Sequence, residues 1–169
     1  MNQQLNVLFL CTGNSARSIM AESILRKDGA TNFQTFSAGN IPRDMLNLIA
    51  LKVLASFGYP TDKLLSQRWQ VFTAPSAPNL DFVITVCDAA AGETCPLWPG
   101  RPISTHWGVE DAAAVEGSDI DKERAFGAAF GYLRHQISIF TSLPIASLSR
   151  LSLTTRSHKD AWKAQRRKY

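Results

Sequence analysis

Short apolar runs alternate with stretches of helical spacing along this chain. LNVLFL (5–10) is a continuous apolar run of strand length, the pattern of a strand buried on both faces. ARSIMAESILRKDG (16–29) spaces Ile19, Met20, Ile24 and Leu25 for one helical face, with Gly29 as its stop. FQTFSAG (33–39) alternates and predicts a second strand, and RDMLNLIALKVLASFG (43–58) predicts an amphipathic helix ending at Gly58. DFVITVC (81–87), rich in β-branched residues, predicts a third buried strand, and ISTHW (103–107) a short fourth after a proline-rich loop. DIDKERAFGAAFGYLRHQISIFTSL (119–143) predicts a long helix whose acidic first turn suits the helix dipole. Strands alternating with helices imply an α/β fold, a parallel sheet covered on both faces. No repeat or internal linker breaks the pattern, so one domain over 1–150 is expected, followed by a tail over 151–169.

Length adds that 169 residues can bury a full core. Charge changes the picture more. The net charge is +4, but residues 150–169 carry seven basic residues against one acidic, so the rest of the chain is net negative. Basicity confined to a tail does not match the basic folded face of a nucleic-acid protein. No apolar run approaches the roughly 20 residues of a bilayer span, and the N-terminus has neither the basic lead nor the apolar length of a signal peptide. The expectation is a cytoplasmic protein without nucleic-acid or membrane partners.

The three cysteines are Cys11, Cys87 and Cys95. An odd count in a cytosolic chain argues against a disulfide framework, and without a CxxC pair or clustered histidines no zinc site is expected. Thiol chemistry or burial as apolar side chains remains. Cys11 stands where the first strand ends, and ligands of such sheets bind beyond the carboxyl ends of strands. From Cys11 to Arg17 runs a loop of small polar residues opening a helix. Backbone N–H groups of Thr12, Gly13, Asn14, Ser15, Ala16 and Arg17 can form a nest for an anion, reinforced by the helix N-terminus. The planar fork of Arg17 can grip two oxygens of a tetrahedral oxyanion. The same positive field is expected to lower the Cys11 pKa, and a Ser18 hydroxyl in reach would stabilise the thiolate. Gly13 permits a tight or left-handed backbone, and Asn14 tolerates one.

LFLCTGNSARSIMAES resembles the signature loop of the low-molecular-weight tyrosine phosphatase superfamily. VCDAAAGETCPLWPG and HWGVEDAAA narrow the likeness to its thioredoxin-coupled arsenate reductases, over roughly residues 5 to 155. The resemblance implies a three-layer α/β/α fold with a four-stranded parallel sheet. It implies a relay that needs no cofactor. Cys11 attacks arsenate, Asp111 protonates the departing oxygen, Cys87 attacks Cys11 as arsenite leaves, and Cys95 then attacks Cys87. By the resemblance thioredoxin reduces the resulting Cys87–Cys95 disulfide, with a glutaredoxin or a small thiol as the alternative donor. Cys87 ends the third strand and should emerge beside Cys11, while DAAAGET, between Cys87 and Cys95, is small and polar enough to move.

Several alternatives stay open. Asp111 could merely cap the next turn, and Glu110 competes for the acid role. His106 and Trp107 are expected to pack structurally. Ala112 and Ala113 stand where many members have proline and alanine, and the Cys87 to Cys95 spacing is one residue longer than in better-known members. Some relatives hold a potassium ion beside the loop. Asn14, Glu22 and Ser37 match that site, but its further acidic ligand is replaced near Gln67, and no metal is expected. The alternative activity is phosphomonoester hydrolysis through a Cys11 phosphocysteine, which needs neither Cys87 nor Cys95. A third reading is a non-catalytic oxyanion-binding or thiol-sensing module.

Overall fold

The computed structural model describes residues 3–92 and 98–149. Cys95 and the basic tail 151–169 lie outside them. Four strands, β1 (Leu5–Leu10), β2 (Phe33–Ala38), β3 (Phe82–Thr85) and β4 (Ile103–His106), form one sheet in the order β2-β1-β3-β4. All three pairings are parallel. The chain steps outward from β1 to β2, returns to β3, and continues to β4. Its direction therefore reverses between β1 and β3, the crevice where sheets of this kind bind ligands. Leu10 pairs with Thr85, and the Val86 N–H donates to the Leu10 carbonyl at 2.9 Å, so Cys11 and Cys87 leave the sheet almost level with each other.

Side-chain alternation in β1 supplies both faces of the core. Val7 and Phe9 point into a cluster with Ile19, Met20, Ile24, Leu54, Phe126, Leu133 and Ile137. These come from α1 (Arg17–Asp28), α2 (Leu48–Ser56) and α4 (Asp119–Ser142), which pack together on that face. Leu8 and Leu10 point the other way, against Phe72, Leu80, Val83 and Trp98. That second face is closed by a 3-10 helix, Trp69–Thr73, which shows no clear periodicity in the sequence. Helix α1 is buried continuously from Ser18 to Leu25. Burying one such Ile or Leu contributes on the order of 2 kcal/mol, so the sheet side of α1 is firmly set. A capping box starts α4: Ser118 Oγ accepts from the Asp121 N–H, and Asp121 Oδ2 accepts from the Ser118 N–H.

Helix α2 begins later than the pattern predicts, at Leu48 rather than near Arg43. Asn47 caps it, its Oδ1 accepting from the N–H groups of Ile49 at 3.0 Å and Ala50 at 3.1 Å. The preceding residues are drawn off by the signature loop. Ile41 N–H donates to Thr12 O, Arg43 N–H to Gly13 O and Asn47 N–H to Ser15 O, all within 2.9–3.0 Å. Residues 41–47 are thus a strap across the loop, not the first turn of a helix. Asp88–Gly92 forms a short helix, α3, after β3; the rest of the expected mobile segment lies outside the described residues. Among the described residues, no helix is long and apolar enough to cross a membrane.

Candidate active site

The loop 11–17 joins β1 to α1 and lines a cleft of about 580 Å³ together with Ile41, Arg43, Met45, Asn47, Ala89, Asp111 and Ala113. Its carbonyls at Thr12, Gly13 and Ser15 are used by the strap. Among the described residues, the N–H groups of Gly13, Asn14, Ser15 and Ala16 have no acceptor. Outward carbonyls and unspent N–H groups are what an anion nest requires.

The left-handed residue of the loop is Asn14, at φ 42°, and not Gly13. A buried network holds Asn14 there. Its Nδ2 donates to Ser18 Oγ and Ser37 Oγ at 2.9 Å each, and its Oδ1 accepts from the Gln67 N–H at 2.8 Å. The expected bond between Ser18 and Cys11 is not formed; the Ser18 hydroxyl serves Asn14 instead. Gly13 is explained by space: the arm of Arg43 crosses it, with Nε 3.3 Å and Cγ 3.4 Å from where a Cβ would stand. Gly39 is tighter still, since a Cβ there would lie 2.5 Å from the Thr12 carbonyl oxygen and 2.8 Å from that of Cys11. No sequence pattern singled out Gly39 or Arg43.

Cys11 and Cys87 are both buried and both free thiols, and each shifts the titration of the other. The expectation of a lowered Cys11 pKa is corrected. Cys87 beside it pushes Cys11 far above the usual thiol range; burial adds to the rise, and Arg17 opposes it. Cys11 beside it pulls Cys87 down to about 5 against the cost of burial. The Ala90 N–H at 3.4 Å and the Thr12 hydroxyl at 3.7 Å help to hold its negative charge. The two thiols therefore titrate as a coupled pair. Cys87 was expected beside Cys11, but its effect on the Cys11 thiol was not weighed against Arg17 and the helix end.

Arg17 is anchored on the far wall. Its Nη1 donates to the Val109 carbonyl at 3.0 Å, and its Nη2 stands 3.5 Å from Asp111 Oδ2. Asp111 caps the turn Ala112–Ala114 through a bond from the Ala113 N–H, so both readings of this residue describe its position: it caps, and it faces the cleft. Glu110 lines a different depression, with Tyr132 and Ala125. Trp107 packs against Phe9 and Phe140. His106 does not pack in the core. It is exposed at the end of β4, with Nδ1 2.8 Å from Thr85 Oγ1 and Nε2 2.9 Å from Oδ1 of Asp88, the residue after Cys87.

The potassium-type ligands do not fit an ion here. Glu22 is bound by Arg26 and by the Ser37 hydroxyl, and the Asn14 oxygen is taken by Gln67. The Arg26 guanidinium already supplies a positive charge at this place. Among the described residues, no group of three or more metal-ligating side chains gathers elsewhere.

Comparison with known proteins agrees with this geometry. Residues 6–112 match the family model of the low molecular weight phosphotyrosine protein phosphatases. An arsenate reductase of Bacillus licheniformis is 36% identical over 116 residues, covering 69% of this chain and 80% of that one. A solved arsenate reductase in its phosphate-binding state superposes with a TM-score of 0.67 at 24% identity, over 82% of this chain and 98% of that one. A thioredoxin-dependent arsenate reductase of Corynebacterium glutamicum superposes with a TM-score of 0.56 at 22% identity, over 80% of this chain and 63% of that one. By this family match and this degree of identity, the chain belongs to the low molecular weight phosphotyrosine protein phosphatase family, among its arsenate reductases.

Proposed function

We propose that this protein reduces arsenate to arsenite by passing a disulfide through Cys11, Cys87 and Cys95. The observation that carries the reading is a second buried thiol, Cys87, which leaves the sheet level with Cys11 at the floor of an anion nest. Hydrolysis has no use for the second thiol; reduction needs it. Arsenate settles on the free N–H groups of the loop and on Arg17. Cys87 takes the Cys11 proton, which leaves a Cys11 thiolate facing the arsenic with Arg17 to stabilise it. The thiolate attacks, Asp111 gives a proton to one oxygen, and water leaves.

The second step consumes the adduct. The Cys87 sulfur attacks the Cys11 sulfur and its proton goes to an arsenic oxygen. The sulfur–arsenic bond breaks, arsenic gains two electrons, and arsenite departs. Cys95 then attacks Cys87, freeing Cys11, and a dithiol donor reduces the Cys87–Cys95 disulfide. Thioredoxin is that donor in this reading, supported by the thioredoxin-dependent relative; the reaction is placed in the cytoplasm.

The family match gives a second reading, hydrolysis of phosphomonoesters by Cys11, Arg17 and Asp111. Ala112 and Ala113 beside Asp111 offer no aromatic platform for a phenyl ring, which disfavours it. A single-turnover trap tests the choice. Reduced Cys95→Ser protein given arsenate should release one arsenite per chain and stop with a Cys11–Cys87 disulfide, read by peptide mass mapping. Arsenite absent, with both thiols still free, would overturn the proposal.

A further inference from the structure

We infer that Arg43 is a second oxyanion-binding arginine, which meets the anionic substrate at the mouth of the cleft and sets its affinity. The inference rests on the proposed function for the identity of the substrate, a tetrahedral oxyanion of the arsenate or phosphate type. Arg43 lines the same cleft as Cys11 and Arg17. Its backbone is fixed there, because its N–H donates to the Gly13 carbonyl at 2.9 Å between the bonds of Ile41 and Asn47 on either side. Its side chain then runs over Gly13, where Nε, Cγ and Cδ all fall within 3.3–3.6 Å of the missing Cβ. The absent side chain at position 13 is the space the arginine occupies.

The two arginines differ in what holds them. Arg17 is largely buried, bonded to Val109 and faced by Asp111. Arg43 is exposed, and among the described residues no carboxylate lies within ion-pair distance of it. Its charge is left for a ligand. A charge at the solvent edge of a cleft attracts an anion before the chemistry and holds it equally in ground and transition states. Such uniform binding lowers KM and leaves kcat alone. Exposure also makes it sensitive to salt, unlike the buried grip of Arg17.

The test compares wild type, Arg43→Gln and Arg43→Lys. Calorimetry reads the Kd of inorganic phosphate, and steady-state turnover reads KM and kcat for arsenate at low and high salt. Arg43→Gln should raise both Kd and KM about tenfold, the loss expected for one charge-assisted contact, with kcat unchanged within about twofold. Arg43→Lys should recover most of the affinity, and the salt dependence of KM should flatten in Arg43→Gln. Unchanged Kd and KM, or a fall in kcat at constant KM, would overturn the inference. If wild type fails to reduce arsenate while Arg43→Gln still weakens phosphate tenfold, the proposed reaction is wrong and the role of Arg43 stands.

Discussion

Cys11 and Cys87 leave the carboxyl ends of two neighbouring strands almost level with each other, and each shifts the titration of the other. Cys11 pulls Cys87 down to about 5, well below the ordinary thiol value near 8.5. Ultraviolet thiolate absorbance of the reduced protein should titrate one sulfur near pH 5. In Cys11→Ala, which removes the largest cause of that shift, the midpoint should move up toward the ordinary thiol value. A wild-type curve with no step below pH 7 would contradict this coupling.

Asp111 caps a turn and faces Arg17, and one substitution separates the two tasks. Asn at 111 keeps an oxygen for the Ala113 N–H but cannot donate a carboxylic proton. Asp111→Asn should lose about 10²- to 10⁴-fold in kcat, the usual share of general acid catalysis, with its melting temperature little changed. Loss of fold without a specific loss of kcat would leave Asp111 as a cap alone.

Glu22 gives a pH signature in stability. Burial raises its pKa from the ordinary 4.5 to about 7, although the bonds from Ser37 and Arg26 oppose the rise. A raised carboxyl pKa means that the folded state binds the proton more tightly than the unfolded chain. Stability should therefore fall as pH rises from about 4.5 to about 7 and level off above. Glu22→Gln should flatten that slope in urea titrations across the window. An unchanged slope would show that Glu22 is ionised without penalty.

Gly39 supports the loop by having no side chain. Gly39→Ala places a Cβ 2.5 Å from the Thr12 carbonyl oxygen, a separation that side chains do not adopt, so loop or strand must move. Phosphate affinity should drop at least tenfold even where circular dichroism shows the fold retained, because the nest needs its N–H groups aimed together. Wild-type affinity in Gly39→Ala would mean that the loop tolerates the shift.

The strands were readable because β1 and β3 are unbroken apolar runs, and Cys11 through Arg17 could be placed because the loop is local in sequence. The misreadings have one physical root, contacts between segments far apart. The stripe 43–58 has helical spacing throughout, yet the strap bonds of Ile41, Arg43 and Asn47 to the loop delay α2 until Asn47 can cap it. The Cys11 pKa was argued from Arg17 and the helix end, both nearby; the reversing influence is Cys87, brought in by β1–β3 pairing. His106 read as a packing residue because nothing local announced its bond to Asp88. Asn14 was rightly marked as tolerant of a left-handed backbone, but the network that requires it joins α1, β2 and Gln67.

The central claim is that a second thiol makes this anion nest a reductase. Its most direct test is NADPH consumption with arsenate, thioredoxin and thioredoxin reductase, comparing wild type with Cys87→Ser and Cys95→Ser. The account predicts continuous turnover in wild type and its collapse in both variants. Steady aryl-phosphate hydrolysis that neither substitution alters, with no arsenate-dependent NADPH consumption in wild type, would contradict it.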